Sequence, residues 1–296
     1  MKKENKILPK FFVIETSSFC NLQCSICPHK NMSVTRKGIM SIELFEKIIE
    51  NIKEYAEGIQ LYWMGEPFLN KKLIHMIKFA KKLTSAKLIV STNGLMLNEK
   101  LIEEVVNSGL DELIISVDAT RENTYQKIRV GGNLKILESN IIKVLEYKKK
   151  MNSKIKINLQ FIKMHLNNDE ISEFKKKWEK YDCEVSYSCL YSWSNQMPML
   201  NSMSNYLSPV SNTERRPCLD LWNKMCIRFD GLVSLCCFDY NNTVCLGDLA
   251  VESVEEIWNN EIITKIRNEH TTGIYKRICL LCDSWAIEEE YENLKK

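Results

Sequence analysis

Phe19-Cys20-Asn21-Leu22-Gln23-Cys24-Ser25-Ile26-Cys27-Pro28-His29 is the stretch from which the fold of this 296-residue chain is read. Cys20, Cys24 and Cys27 form a C-x3-C-x2-C triplet just after a hydrophobic, strand-like run at 11–14. Three thiolates packed that tightly suit one 4Fe-4S cube, whose irons take soft sulfur ligands. A cube has four corners to ligate, so a local set of three leaves one iron open for a small chelating molecule. A zinc knot or a group of buried cysteines is the bland alternative. Zinc normally takes four ligands, commonly as two pairs.

The triplet resembles the signature of the radical S-adenosylmethionine superfamily. The resemblance implies that the open iron takes the amino and carboxylate groups of S-adenosylmethionine. It implies that one electron cleaves that molecule to methionine and a 5′-deoxyadenosyl radical, and that the radical takes a hydrogen atom from a substrate.

Working outward, composition is that of a globular chain, with 45% hydrophobic and 27% charged residues. Its length suits one large domain and a small one. No apolar stretch approaches the roughly 20 residues of a membrane helix. The start, Met1-Lys2-Lys3-Glu4-Asn5-Lys6, leads into no signal-peptide hydrophobic region. A cytoplasmic protein with no membrane partner is expected. Net charge is +3, and lysines are spread along helical segments such as 71–87 and 143–156, each with a single aromatic, Phe79 and Tyr147. That pattern fits solvated helix faces and excludes a nucleic-acid partner. Twelve cysteines in a reducing compartment favour metal binding over disulfides. Three lie in the N-terminal triplet and nine beyond residue 180, which suggests one metal centre near each end.

Between the two groups, apolar spacing predicts strands at 59–63, 87–91, 112–117, 155–162 and 183–191, after the first at 11–14. It predicts helices at 41–55, 70–83, 98–107, 134–149 and 169–181, with Ser41 as an N-cap. Such alternation means an α/β fold with a parallel sheet and helical crossovers. Periodicity alone does not separate a doubly wound sheet from a barrel. The resemblance selects a partial (β/α)6 barrel over residues 1–191.

In either architecture the functional groups sit at the C-terminal strand ends. After the second predicted strand comes Met64-Gly65-Glu66-Pro67, which is similar to the family's Gly-Gly-Glu motif with Met64 at its first glycine. The resemblance implies that Gly65 and Glu66 hold the methionine amino group. Asn93 follows the third strand, Ser116 and Asp118 end the fourth, and Gln160 lies on the fifth. In relatives of the sulfatase-maturase type a serine and an arginine at the separation of Ser116 and Arg129 bind the cofactor's carboxylate. A guanidinium suits that task because it grips a carboxylate with two parallel hydrogen bonds. Gly131 and Gly132 would allow close backbone approach. Asp118 reads equally as a strand-end cap and Gln160 as a core amide.

Residues 192–217 are rich in Ser, Asn, Met and Pro with no period, and read as a linker or lid. The region 218–296 reads as a hairpin over 226–238 turning at Asp230-Gly231, then a helix over 253–267. Its C-x12-G-x4-C pattern at Cys218, Gly231 and Cys236, closed by Cys279-x2-Cys282, resembles the twitch domain, the short form of the SPASM domain. The resemblance implies one auxiliary 4Fe-4S cluster on Cys218, Cys236, Cys279 and Cys282. A structural zinc on the same thiolates is the alternative. Cys183, Cys189, Cys226 and Cys245 are expected as small buried hydrophobes. Cys237 is free for catalysis, as a hydrogen-atom donor, if an extended segment turns it away from its neighbour Cys236.

The subgroup resembled includes 2-deoxy-scyllo-inosamine dehydrogenase and aminoglycoside epimerases. It implies a radical oxidoreductase or epimerase acting on a small polar molecule such as a sugar, cyclitol or aminoglycoside, with flavodoxin or ferredoxin as electron donor. With the first strand at residue 11, no leader-peptide recognition domain is expected ahead of it. The alternatives are the same chemistry on a peptide or protein side chain and, from another class, a non-catalytic iron–sulfur carrier or redox sensor.

Overall fold

The computed structural model describes residues 7–204 and 215–282. Six strands, β1 (Phe11–Ile14), β2 (Gly58–Gln60), β3 (Lys87–Thr92), β4 (Glu112–Ser116), β5 (Lys156–Lys163) and β6 (Glu184–Cys189), pair in parallel in chain order. Helices cross over between them: α1 (Ile42–Ile52), α2 (Leu73–Leu83), α3 (Glu99–Val106), α4 (Glu122–Ile128), α5 (Leu134–Lys150) and α6 (Ile171–Trp178). This is the predicted barrel-type α/β sheet.

The two faces of the sheet differ. Leu88, Val90, Leu113, Ile115, Ile157, Leu159 and Phe161 point to the helices and join the main core. They meet Phe45, Ile48, Ile49 and Ile52 of α1, and Phe174 and Trp178 of α6. Each such buried side chain contributes about 1.5–3 kcal/mol by leaving water. Alternate residues, among them Ser91, Ser116, Asn158 and Gln160, point the other way and keep partial contact with solvent or cavity.

Several boundaries differ from the sequence reading for physical reasons. β2 ends at Gln60, because the chain beyond it leaves the ladder and carries Trp63 to the Cys237 carbonyl, 2.8 Å away. The predicted helix over 169–181 is shortened by a leading 3-10 turn, His165–Glu170. α4 has no counterpart in the sequence reading: of its seven residues only Tyr125 and Ile128 are buried, too few to show a period.

The C-terminal elements are α7 (Asp220–Asn223), β7 (Lys224–Ile227), β8 (Leu232–Ser234), β9 (Cys245–Asp248), α8 (Val254–Trp258) and α9 (Glu261–Thr271). The hairpin turns at Gly231, whose φ of 92° suits glycine alone. β7 pairs in parallel with β1, so the C-terminal hairpin extends the same sheet to nine strands. The single helix predicted over 253–267 is two. Asn260 breaks it by capping α9, accepting from the Ile262 and Ile263 amides, while its own amide reaches the Leu246 carbonyl.

Of the predicted linker, residues 205–214 lie outside the described residues, as does 283–296 of the C-terminal region. Trp193, Ser194 and Asn195 are three successive left-handed residues. They turn the chain so that Met197 and Leu200 bury against Leu22, Cys24 and Ile26 of the cysteine loop. Among the described residues no helix is long and apolar enough to cross a membrane.

Candidate cluster and cofactor site

The cysteine loop leaves the end of β1 and is tied down on both sides. His29 Nε2 lies 2.7 Å from the Ser18 carbonyl, and the Gly38 amide donates to Ser18 Oγ at 2.7 Å. On the far side the Gln23 amide donates to the Val130 carbonyl and the Ser25 amide to the Ile128 carbonyl. These two bonds deliver Arg129 to the loop, and its Nη1 reaches Cys24 Sγ at 3.7 Å.

Cys20, Cys24 and Cys27 line one cleft together with Met64, Gly65, Glu66, Asn93, Ser116 and Arg129. The sequence therefore anticipated most of its wall. Burial pushes the Cys20 thiol up to about 11 and the Cys27 thiol up to about 12. A metal cation beside them would offset that cost by holding them as thiolates. Gly65 is required here: a Cβ on it would lie 2.2 Å from the Ser17 carbonyl oxygen and 2.6 Å from that of Phe19.

The Glu66 carboxylate is buried and already accepts three hydrogen bonds. Oε1 takes the Phe68 amide at 3.2 Å and the Thr92 hydroxyl at 2.7 Å, and Oε2 takes the Asn93 amide at 2.8 Å. A carboxylate offers about four acceptor positions, which leaves about one for an ammonium. Burial pushes Glu66 above the usual carboxylate range, against those three bonds. A cationic amino group beside it would offset that cost. Asn93 lends its backbone to Glu66 and its side-chain amide to Asn21.

Asp118 is not a wall of the cleft. It is fully buried, in a left-handed conformation with φ 65°, and its Oδ1 accepts the Ile162 amide at 2.7 Å. Its Oδ2 accepts Arg129 Nε at 2.7 Å and also meets Nη2. Asp118 is therefore both strand-end lock and clamp for Arg129. Burial works against the Arg129 charge, but Asp118 and Cys24 outweigh it and hold the guanidinium protonated. Gln160 lies opposite Ser116 in the β4–β5 register, on the inward face. Gly132 packs against Tyr125, where a Cβ would come within 2.7 Å of the ring, so it serves the α4 fold and not the cleft.

Tyr62 and Trp63 also line the cleft, and sequence reasoning missed them. The signal was present: both follow a buried strand and precede Met64-Gly65-Glu66, on the rim where such sheets place their sites.

The second cysteine group gathers at the other end of the extended sheet. Cys218 precedes α7, Cys236 follows β8, and Cys279 and Cys282 lie at and after a 3-10 turn. Each of the four lies within electrostatic reach of others in the set. Burial pushes the Cys218 and Cys279 thiols up to about 12. Among the described residues no three Cys, His, Asp or Glu side chains close around a single ion.

Of the other thiols, Cys189 and Cys226 are buried as expected, and Cys183 is partly so. Cys245 is exposed at the start of β9, the edge strand, which corrects its reading as a core residue. Cys237 belongs to none of the apolar clusters and is partly exposed.

Residues 14–174, more than half of the chain, match the family model of the Radical SAM superfamily, and 218–283 match SPASM, an iron–sulfur cluster-binding domain. GTP 3′,8-cyclase of Clostridium botulinum is 28% identical over 176 residues, 59% of this chain and 54% of the relative. A tungsten-containing aldehyde ferredoxin oxidoreductase cofactor-modifying protein of Pyrococcus furiosus is 26% identical over 172 residues, 56% of this chain and 47% of the relative. The chain thus spans about half the length of these curated relatives. Among solved structures, BtrN in complex with AdoMet and 2-DOIA superposes with a TM-score of 0.61 at 19% identity, over 90% of this chain and 89% of that one. Streptococcus suis SuiB bound to precursor peptide SuiA gives 0.64 at 14% identity, over 97% of this chain and 72% of that one. These likenesses bear on the fold.

Proposed function

Because the chain belongs to the radical SAM superfamily and ends in a SPASM iron–sulfur domain, we propose that it takes a hydrogen atom from a C–H bond of a small polar molecule and returns one from Cys237. The family and domain imply a 4Fe-4S cluster that binds S-adenosylmethionine, an auxiliary cluster and S-adenosylmethionine itself. When bound, these groups supply a 5′-deoxyadenosyl radical. In this reading Cys20, Cys24 and Cys27 hold the first cluster, and Cys218, Cys236, Cys279 and Cys282 the second. Glu66 takes the amino group, and Ser116 with Arg129 takes the carboxylate.

One observation carries the choice of substrate class. Tyr62, Ser91 and Gln160 face inward beside the cleft, and among the described residues no hydrogen bond joins their side chains to another protein group. Three such hydroxyl and amide groups are costly to bury unless a ligand pairs with them, so a bound molecule that covers them is expected to be rich in polar groups. A sugar, cyclitol or aminoglycoside has that chemistry. BtrN, crystallised with AdoMet and 2-DOIA, supports the same class, whereas SuiB was crystallised with a peptide.

Cys237 favours return of hydrogen over net oxidation. Its carbonyl is held by Trp63, and its thiol lies within electrostatic reach of Tyr62, both residues of the cleft wall. A thiol gives hydrogen to a carbon radical because its S–H bond is the weaker one. In this reading Cys237 would approach the bound molecule from the wall that Tyr62 and Trp63 form.

The test runs the reduced, cluster-loaded protein with S-adenosylmethionine in deuterated buffer against two panels, aminocyclitols and amino sugars on one side and short synthetic peptides on the other. The expected result is 5′-deoxyadenosine release stimulated by a member of the first panel, one solvent deuterium in the product, and loss of that deuterium in Cys237→Ala. Stimulation by peptides alone would overturn the substrate class. An oxidised product without deuterium, unchanged in Cys237→Ala, would overturn the role of Cys237 in favour of dehydrogenation.

A further inference from the structure

Between Glu15 and Glu43 the chain carries no acidic residue, although it has 38 in 296. That run, 16–42, holds the cysteine triplet and the segment after it, with Lys30, Arg36 and Lys37. A second acid-free run, 123–137, lies between Glu122 and Glu138 and holds Lys127. The fold brings the two runs together. The Gln23 and Ser25 amides of the triplet loop donate to the Val130 and Ile128 carbonyls. On its other side the loop is joined to Gly38, whose amide donates to Ser18 Oγ at 2.7 Å and whose carbonyl accepts the Ser18 amide at 2.9 Å. Two basic, acid-free segments therefore flank one loop.

This surface is open. Lys30 and Lys127 are exposed and Arg36 and Lys37 half-buried, and among the described residues none of the four forms an ion pair. Apolar side chains stand among them: Phe19, Ile39 and Val130 are exposed, and Val34 is 81% exposed. Apolar groups within a charged rim are the make-up of a docking surface for another protein. Within the loop itself Phe19, Asn21 and Gln23 are exposed while Leu22 and Cys24 are buried. The loop is thus part of the molecular surface, with the triplet just beneath it. The second cysteine group differs. Beside Cys279, Lys276 and Arg277 both pair with Glu269.

We propose that the face carrying Lys30, Lys37 and Lys127 around Phe19 and Val34 is where a small acidic electron-carrier protein docks to reduce the cluster on the triplet, a role that rests on Cys20, Cys24 and Cys27 holding that cluster. The step is the transfer of one electron. The carrier is oxidised by one electron and the cluster is reduced by one; no bond breaks and no proton moves. Electron transfer between proteins weakens steeply with distance, so a carrier must dock where the cluster lies just under the surface. Opposite charge steers it there and raises the encounter rate by roughly ten- to a thousandfold. Complexes of this kind bury little area and are short-lived, so charge matters more than contact area in forming them.

The test uses the cluster-loaded protein with reduced flavodoxin, an acidic carrier, as probe and reduced methyl viologen as a small cationic reductant. Reduction is followed by the freeze-quenched paramagnetic signal of the cluster that responds to S-adenosylmethionine. Lys30→Glu combined with Lys127→Glu is expected to slow reduction by flavodoxin about tenfold at low salt and to leave reduction by methyl viologen unchanged. Added salt is expected to slow flavodoxin with the unmodified protein and not with the variant. Lys175→Glu with Lys176→Glu, exposed on α6, makes the same change in net charge and is expected to have no effect. Carbodiimide coupling and mass spectrometry are expected to join flavodoxin carboxylates to Lys30, Lys37 or Lys127. The proposal is overturned if flavodoxin reduces the Lys30 and Lys127 variant as fast as the unmodified protein, if the α6 variant is slowed equally, or if the cross-links fall elsewhere. Failure of methyl viologen to reduce any such cluster in the unmodified protein would strike the assignment of the triplet instead, with the cross-links still deciding the docking face.

Discussion

Changing Cys20, Cys24 and Cys27 together to alanine is expected to take the anaerobically reconstituted protein from about eight bound irons to about four, and to abolish cleavage of S-adenosylmethionine. The expectation follows from the separation of the two cysteine groups. The triplet lies in a loop after β1, fixed by His29 on one side and by the 128–130 segment on the other. Cys218, Cys236, Cys279 and Cys282 are placed by α7, β8 and a distant turn, outside the triplet loop. Loss of one set leaves the other intact. Cysteine to alanine removes one sulfur atom at each position, so the fold survives, as circular dichroism will verify. Cleavage that persists in the triple variant would remove the basis for every role assigned to Glu66 and Arg129.

Asp118→Ala is expected to lower the unfolding free energy by about 3–5 kcal/mol, the cost of leaving one partner of a buried ion pair alone. Asp118 is fully buried and Arg129 only 13% exposed at its side chain, so solvent does little to rescue the stranded charge. The same substitution frees the Ile162 amide and the left-handed turn that Asp118 anchors. Arg129→Ala strands Asp118 instead, and should cost a similar amount in stability besides weakening S-adenosylmethionine binding by about 1.5–3 kcal/mol. Asp118→Ala combined with Arg129→Ala should then be more stable than the sum of the single changes predicts. Urea titration of the four proteins checks this. Strict additivity would mean that the pair is not coupled and that Arg129 is held by the loop backbone alone.

What the sequence disclosed, and what it hid, divides by range. The triplet, Gly65-Glu66 and the two flanking cysteine motifs were legible because their meaning lies in local spacing. The six strands were legible because buried parallel strands are short apolar runs bounded by polar turns. α4 was hidden because its two buried residues, Tyr125 and Ile128, make no period. The break between α8 and α9 was written in Asn259-Asn260 but overshadowed by the apolar run across it. The contacts that give the site its chemistry were not legible at all. Asp118 meets Arg129 across 11 residues, Trp63 meets Cys237 across 174, and Gln23 and Ser25 receive the 128–130 segment through the backbone. Nothing in those residue types specifies such partners. They follow from strand order, and above all from β7 joining β1 and so setting the C-terminal hairpin beside the strand that leads into the cysteine loop.

Electron paramagnetic resonance of the one-electron-reduced protein, with and without S-adenosylmethionine, tests the central claim most directly. If Cys20, Cys24 and Cys27 leave one iron open beside Glu66 and Arg129, adding S-adenosylmethionine will shift the g-values of one reduced cluster. That shift will vanish in the triple alanine variant, while the signal of the cluster on Cys218, Cys236, Cys279 and Cys282 stays unchanged. A spectrum indifferent to S-adenosylmethionine in the unmodified protein, or a shift that survives the triple substitution, would contradict the account.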